Sequence, residues 1–498
     1  MLFATFPCLP YVLPVREPRV VDRTHIWPYK WVDVETEEGT MGTLADSLAR
    51  WAGELDPGAE DSALAQRSLT DTAAVALAAR EHPVTGIAAE LPDAARWAAA
   101  AHVLDFDDLH IESTTHISAV VVPAVLAAGG GAEAYLAGAG VMARLGTALG
   151  WSHYSAGWHA TCTAGAPAAA VAAGRALGLP VPDLAAAMAL AVPAAGGVQR
   201  SFGTHGKSLQ VGFAADAGVR AAGLVRSGAS ADPGALEEWL RLVGGDPEAV
   251  DLAGPAVPGG LAIKVFPCCY AMQRPIAALR ELREDVVGEV RRVRVRTPEP
   301  SVQPLIHDRP QTGLEGKFSL GYAVATALLD PYPDFAAFTD EAVQRPAAQD
   351  LLGRVEPEFT GGGAGLLTGE VDIEVEHGDE PMRVRLAHPP GSPSRPPSRA
   401  ELGAKLAACG NDVPALLDGL DWDSARALLA STYPASGPAT GGPATSDPAS
   451  NPARSNGNSG NPARGNPAPR NSAASGAQPA RSDPSPPGAA SSSSEVDR

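Results

Sequence analysis

The chain has 498 residues, 45% of them hydrophobic, and a formal net charge of −19, so it is long enough to bury a large core and to form more than one domain. The acidic balance argues against nucleic acid as a partner, because binding a phosphate backbone requires a basic footprint. No apolar run reaches bilayer length: the longest, Ile117 to Ala128, is too short and contains Pro123, so no membrane partner is expected.

Residues 1–41 form an atypical proline-rich extension without the basic start and small-residue cleavage pattern of a signal peptide, and either Met41 reads as the true start or the preceding segment as dispensable. From Thr43 the pattern is helical, with Leu44, Leu48, Trp51 and Leu55 on one face and a cap between Thr43 and Asp46. Alanine-rich helical spacing continues to about Gly228, for example over Gly165 to Leu177 and Gly212 to Val225, where small side chains permit close helix packing. After Lys264 the period changes to two. Val293 and Val295 alternate with arginines, and Val371, Ile373 and Val375 alternate with acids. His377-Gly378-Asp379 then supplies a turn before Met382, Val384 and Leu386, which predicts a β-hairpin. Helical spacing returns from Arg399 to Leu429. From about Pro434 the chain is Pro, Ser, Ala, Gly and Asn with almost no large apolar residue, the composition of a disordered tail. The fold class expected is mainly α with a smaller α+β domain, divided as 42–265 helical, 266–398 α+β, 399–430 helical again and 434–498 tail.

The five cysteines, Cys8, Cys162, Cys268, Cys269 and Cys409, are odd in number and lack metal-site spacing. They point to a reducing compartment, with cytoplasm the default, and to neither a structural zinc site nor an iron–sulfur cluster. The densest chemistry lies in Asp105-Phe106-Asp107-Asp108-Leu109-His110 followed by Thr115-His116. Three carboxyls and two imidazoles between apolar helical stretches are costly to bury without a role. Gly157-Trp158-His159-Ala160-Thr161 and Gly203-Thr204-His205-Gly206-Lys207-Ser208-Leu209 add a base and a cation at element boundaries. Together they suggest proton transfer on an anionic substrate. The bland readings make Asp107 and Asp108 helix caps or solvent-facing acids and make His102, His153 and His205 structural. His110 is open between the two.

These segments resemble the MmgE/PrpD family. The resemblance runs from His102 to Asp108 through His153 to Thr161, the Lys207 segment, Ile263-Lys264-Val265-Phe266-Pro267-Cys268-Cys269, Lys317-Phe318-Ser319-Leu320-Gly321-Tyr322 and the stretch Pro397 to Lys405, covering roughly residues 42–430 in the family's order. It implies a homodimeric, cofactor-independent enzyme acting on a small tricarboxylate or related acid, with the active site in the cleft between the two domains and the closing helices rejoining the first. It also implies catalytic positions at Asp105, His116, His159, Lys207 and Tyr322, with Lys264 and Gln273 as substrate contacts. On that pattern His159 is the leading proton-transfer residue, His116 its partner, Asp105 the orienter of an imidazole, Lys207 a carboxylate anchor and Tyr322 a proton donor. The chain departs from the pattern at Leu109, where threonine is common, at Ile117, at Ser208-Leu209-Gln210 in place of Pro-Leu-His, and at Gln273 in place of histidine. The activity expected is a 2-methylcitrate dehydratase-like hydro-lyase. A cis-aconitate-type decarboxylase or an epimerase is the alternative within enzymes, and a non-catalytic carboxylate-binding protein the alternative outside them.

Overall fold

The computed structural model describes residues 42–435, so the expectations attached to residues 1–41 and to the tail beyond 435 lie outside it. The helices before the sheet are α1 (Leu44–Glu54), α2 (Ala59–Ala78), α3 (Pro83–Ile87), α4 (Asp93–Val103), α5 (Ile117–Ala128), α6 (Ala132–Ser155), α7 (Ala160–Ala176), α8 (Val181–Ala191), α9 (His205–Arg226), α10 (Ala235–Leu242) and α11 (Tyr270–Leu282). Strand β1 (Val290–Pro298) follows, then α12 (Gly313–Gly316), α13 (Leu320–Leu329), α14 (Asp340–Gln344) and α15 (Pro346–Leu352). Next come β2 (Val355–Thr360), β3 (Val371–His377) and β4 (Met382–Leu386), and the closing helices are α16 (Arg399–Ala408), α17 (Val413–Leu416) and α18 (Trp422–Thr432). Among the described residues no helix is long and apolar enough to cross a membrane.

Helix α1 starts on a capping box in which the Thr43 side chain accepts from the Asp46 amide and the Asp46 carboxylate accepts from the Thr43 amide, satisfying two donors that the first turn leaves open. Its deepest residues are Ala45, Leu48, Ala49 and Ala52, with Leu44, Trp51 and Leu55 only partly buried against the same core. Small residues set the packing distance of the helical lobe. A Cβ on Gly218 of α9 would lie 2.4 Å from the Ala169 Cβ of α7, so these two helices meet nearly backbone to backbone and carry their first turns to the same place.

The sheet is mixed, in the order β2-β1-β3-β4, with β1 parallel to β2 and antiparallel to β3, and β3 antiparallel to β4. The alternation read in the sequence appears in the register: Val295 faces Ile373, and Ile373 faces Val384 across the expected hairpin. Val371, Ile373 and Val375 are buried under α11, in one apolar cluster with residues of α13. On the other face Glu374 accepts from Arg294 at 2.7 Å and from Arg383 at 2.5 Å, an arrangement of cross-strand charge pairs. Two cores result. One is helical and takes in Cys409, Val413, Leu417, Leu420, Ala425 and Leu429 from the closing helices; the other lies under the sheet.

Candidate active site

Segments far apart in the chain bring ionisable side chains together where α4 ends and α5, α7 and α9 begin. His116 and His159 are the N-cap residues of α5 and α7, and Lys207 stands in the first turn of α9. The extended stretch before α11 joins them because Leu109 and Ala262 exchange backbone hydrogen bonds of 2.9 and 2.8 Å, which aligns Lys264 with the acidic turn. Helix N-termini carry partial positive charge, so three of them converging suit an anion.

The turn after α4 is held by lysines. Asp105 sits in the left-handed region, at φ 55°, a conformation that costs a residue with a Cβ and needs compensation. Three consecutive carbonyls past the helix end each receive a buried ammonium: Lys317 Nζ lies 2.8 Å from Leu104 O, Lys264 Nζ 3.1 Å from Asp105 O, and Lys405 Nζ 2.7 Å from Phe106 O. Cations beyond a helix C-terminus satisfy its open carbonyls and oppose its dipole. Lys264 also reaches Asp105 Oδ1 at 2.5 Å, and Lys207 Nζ is 3.4 Å from the same oxygen.

The geometry fixes the imidazole tautomers, because several partners can only donate or only accept. His102 Nδ1 is 2.7 Å from Asp107 Oδ2 and its Nε2 is 2.7 Å from Lys207 Nζ. Lys207 can only donate, so His102 accepts at Nε2 and donates from Nδ1 to the carboxylate. His116 Nδ1 lies 2.8 Å from the Asp108 carbonyl and 3.0 Å from Asp107 Oδ2, both acceptors, so its proton is on Nδ1. Its Nε2 makes no hydrogen bond among the described residues and has a free lone pair. The rings of His102 and His116 meet edge to face with centroids 4.7 Å apart. The site is nearly closed: His116 and Lys207 show the largest exposures of this group, 8% and 6%.

Burial lowers the pKa of all three imidazoles: His116 falls to about 4, His159 well below the usual histidine range, and His102 downward despite Asp107 beside it. All three are neutral near pH 7. Burial would raise Asp105, but the ammonium groups of Lys207 and Lys264 outweigh it and hold the carboxyl well below its usual range. Asp107 is likewise held down against burial, by His102, His116 and Lys264. Burial lowers Lys317 to about 8. Asp108 goes the other way: burial raises it to about 7, against hydrogen bonds from the Ser118 hydroxyl and from the Ser118 amide at 3.2 Å.

His102, Asp107 and His116 are close enough to offer three ligand atoms to a metal ion. His102 already directs its Nδ1 proton at Asp107, His116 Nδ1 is bonded to the Asp108 carbonyl, Lys264 Nζ stands 3.9 Å from Asp107 Oδ1 and Lys207 caps the far side of His102. Two ammonium groups against the same three side chains oppose a divalent cation there.

Models of the MmgE/PrpD N-terminal domain and the MmgE/PrpD C-terminal domain match residues 91–241 and 266–416. The chain belongs to the MmgE/PrpD family. Two cis-aconitate decarboxylases of Aspergillus terreus, the first from strain NIH 2624 / FGSC A1156, are 29% and 28% identical to it over 320 residues, covering 55% of this chain and 65% of theirs. The chain thus matches just under two thirds of the length of these relatives.

Within this MmgE/PrpD chain the structure brings Asp105, His116, His159, Lys207 and Lys264 together and leaves Tyr322 and Gln273 outside. Tyr322 is fully buried in the core under the sheet, where its hydroxyl donates to the Ala337 carbonyl, so the expected proton donor is spent on the fold. Gln273 accepts from the amides of Val265 and Phe266 and donates to the Phe266 carbonyl at 2.8 Å; it shapes the turn after Lys264 in place of a substrate contact. The imidazole orienter is Asp107 and not Asp105, whose carboxylate faces ammonium groups. The reading of Asp107 as a cap or solvent-facing acid gives way, since it is fully buried against His102, which itself lies inside the cluster. Asp108 does support a helix start, by accepting from the second residue of α5, but from a buried position. Lys317 opens one of the family-like segments but carries no expected role there; the signal for it is a lone lysine among small and apolar neighbours.

Proposed function

We propose that this chain is a lyase acting on a small tricarboxylate. The observation that carries the reading is His116, a neutral imidazole with a bare Nε2 at the start of α5, in a cluster that also holds Lys207 and Lys264. Elimination of water needs a base for a weakly acidic C–H and cations for the carboxylates and the charge that develops. His116 Nε2 takes the proton from carbon, and the electron pair of the C–H bond forms the double bond as the C–O bond breaks. The imidazolium then returns that proton to the departing hydroxyl, so that water and an unsaturated acid leave. Lys207 neutralises a substrate carboxylate, Lys264 holds Asp105 in place beside it, and Asp107 steadies the transient charge on His116. This supports a 2-methylcitrate-type hydro-lyase. The Aspergillus terreus relatives favour a second reading, decarboxylation of cis-aconitate. There carbon dioxide leaves, the double bond shifts and carbon takes up a proton, so His116 must arrive protonated.

The two reactions have opposite pH limbs. Elimination slows when His116 is protonated in acid, and decarboxylation slows when it is neutral. Products formed from 2-methylcitrate, citrate and cis-aconitate, identified by NMR, decide between them. His116→Gln cannot titrate, and kcat should fall by roughly 10²-fold or more. Lys207→Met should raise KM. If none of these acids turns over, yet one binds and Lys207→Met abolishes the binding, the chain is a carboxylate-binding protein and the lyase reading fails.

A further inference from the structure

We infer that Gln210 locks His159 as the Nε2–H tautomer, so that His159 serves its ligand as a neutral hydrogen-bond donor and leaves proton carriage to His116. Gln210 is thus a positioning residue, and the division of labour between the two imidazoles is the reverse of the one expected from the sequence.

The chain of bonds leaves one orientation open at each step. The Val198 amide lies 3.0 Å from Gln210 Oε1. A backbone N–H can only donate, so the oxygen of the side-chain amide is on that side. Its nitrogen is then 3.3 Å from the Val198 carbonyl and 2.7 Å from His159 Nδ1. A carboxamide nitrogen has protons and no usable lone pair, so His159 Nδ1 must accept. The other polar neighbour of Nδ1 is the Cys162 thiol, 3.3 Å away. Burial pushes its pKa up, so it too brings a hydrogen and no thiolate charge. With Nδ1 receiving and burial keeping the ring neutral, the single ring proton is on Nε2.

The ring itself has little freedom. The His159 amide donates to the Gly197 carbonyl at 3.0 Å, and the ring lies across Phe202 with centroids 5.0 Å apart and stacks at 28° on His102 at 5.8 Å. Nε2 makes no hydrogen bond among the described residues. A neutral imidazole that gives up its only proton becomes an imidazolate, far above the range of a working acid, so His159 keeps the proton and offers it to a carboxylate oxygen, an oxyanion-hole type of contact. His116 has the opposite tautomer and a free lone pair. Gln210 is one of the positions where the chain departs from the family pattern, which commonly has histidine there. An imidazole has only one proton to share when neutral and cannot hold both Val198 and His159 in these roles.

The tautomer stands on the hydrogen-bond geometry together with the burial that keeps the ring neutral; the role of His159 in catalysis rests on the lyase reading above. The test is a long-range 1H–15N NMR spectrum of the full chain labelled with 15N-histidine, at pH 7.5, with the His159 signals identified by their loss in His159→Gln. The expected native pattern is a protonated Nε2 and a lone-pair Nδ1. Gln210→Glu places an acceptor against Nδ1, so the proton should move there. A native Nδ1 that is already protonated, or signals that Gln210→Glu leaves unchanged, overturns the inference. In the turnover assay Gln210→Glu should lower kcat/KM by about tenfold or more, the scale of losing one oriented donor. A reversed tautomer with unchanged kcat/KM refutes the donor role of His159. A parent protein that turns over no tricarboxylate sinks the lyase reading, and the spectrum alone then decides the tautomer.

Discussion

Asp108→Asn is expected to stabilise the protein at neutral pH. The Asp108 carboxyl is buried between Ser118, whose hydroxyl also reaches Tyr135 at 2.8 Å, and the neighbouring acids Asp71 and Asp107, and its pKa is raised from 3.8 to about 7. At 1.36 kcal/mol per unit, a shift of about three units corresponds to about 4 kcal/mol of folding free energy that the aspartate forfeits once ionised. The folded state binds the proton more tightly than the unfolded chain, so the stability from protonated Asp108 is complete below pH 4. It is lost as pH rises to 7 and flat above that. Asparagine keeps an oxygen for the Ser118 amide but gives up a charge-assisted bond to the hydroxyl, an offset of about 1.5–3 kcal/mol. The variant should therefore gain about 1–3 kcal/mol at pH 7.5. The measurement is urea unfolding of both proteins by tryptophan fluorescence at intervals from pH 4.5 to 8.5, plotted as a difference. The histidines titrate in both and cancel. The advantage of the variant should grow between pH 4.5 and 7 and then level off. A constant difference, or one that widens toward acid, would refute the idea of a buried carboxyl that resists ionisation.

Arg274 is 3% exposed and donates to the carbonyls of Leu366, Thr368, Gly369 and Ala387; Arg274→Met should strand them and cost about 2–4 kcal/mol, read as a lower urea midpoint. Lys405→Met removes the partner 2.7 Å from buried Asp71 and the donor to the Phe106 carbonyl. It should cost about 3–5 kcal/mol and speed amide hydrogen exchange in residues 104–108, whereas exchange unchanged there would show that the turn holds without it. Once a substrate is in hand, turnover should survive exhaustive treatment with EDTA, because ammonium groups already compensate the site's acids; loss of activity restored by one added metal would reverse that.

The fold was legible wherever hydrophobic period and turn chemistry agreed. The α1 cap and the β3–β4 hairpin are local devices, and Val371, Ile373 and Val375 point inward as a period of two demands. The candidate site was half legible. Residue types marked Asp105, His116, His159 and Lys207, but their partnerships depend on a turn in which Asp105 takes a left-handed conformation. That turn sends Asp105 toward Lys264 and Asp107 toward His102, and no pattern in the sequence dictates which way adjacent acids will face. Tyr322 matches the family pattern by type and neighbours and Gln273 stands where that pattern commonly has histidine, yet each spends its polar atoms on backbone. His102 looked structural because a single histidine near a helix end has many satisfied forms; its role depends on Lys207, 105 residues away.

The helical core is discontinuous along the chain, and this orders events during synthesis. The Tyr433 hydroxyl closes on the Ala76 carbonyl across 357 residues, and Lys405 reaches the acidic turn across 299. On the ribosome, α1 to α10 emerge with part of their apolar surface uncovered, while the sheet and its helices, continuous between 270 and 386, are all available to one another sooner. The first lobe to be made is thus the last that can be finished, and long-range closure of this kind is slow. Premature termination before α16 would release a chain with a completed sheet, an open apolar flank on α2 and an acidic turn missing one of the three lysines that hold its carbonyls.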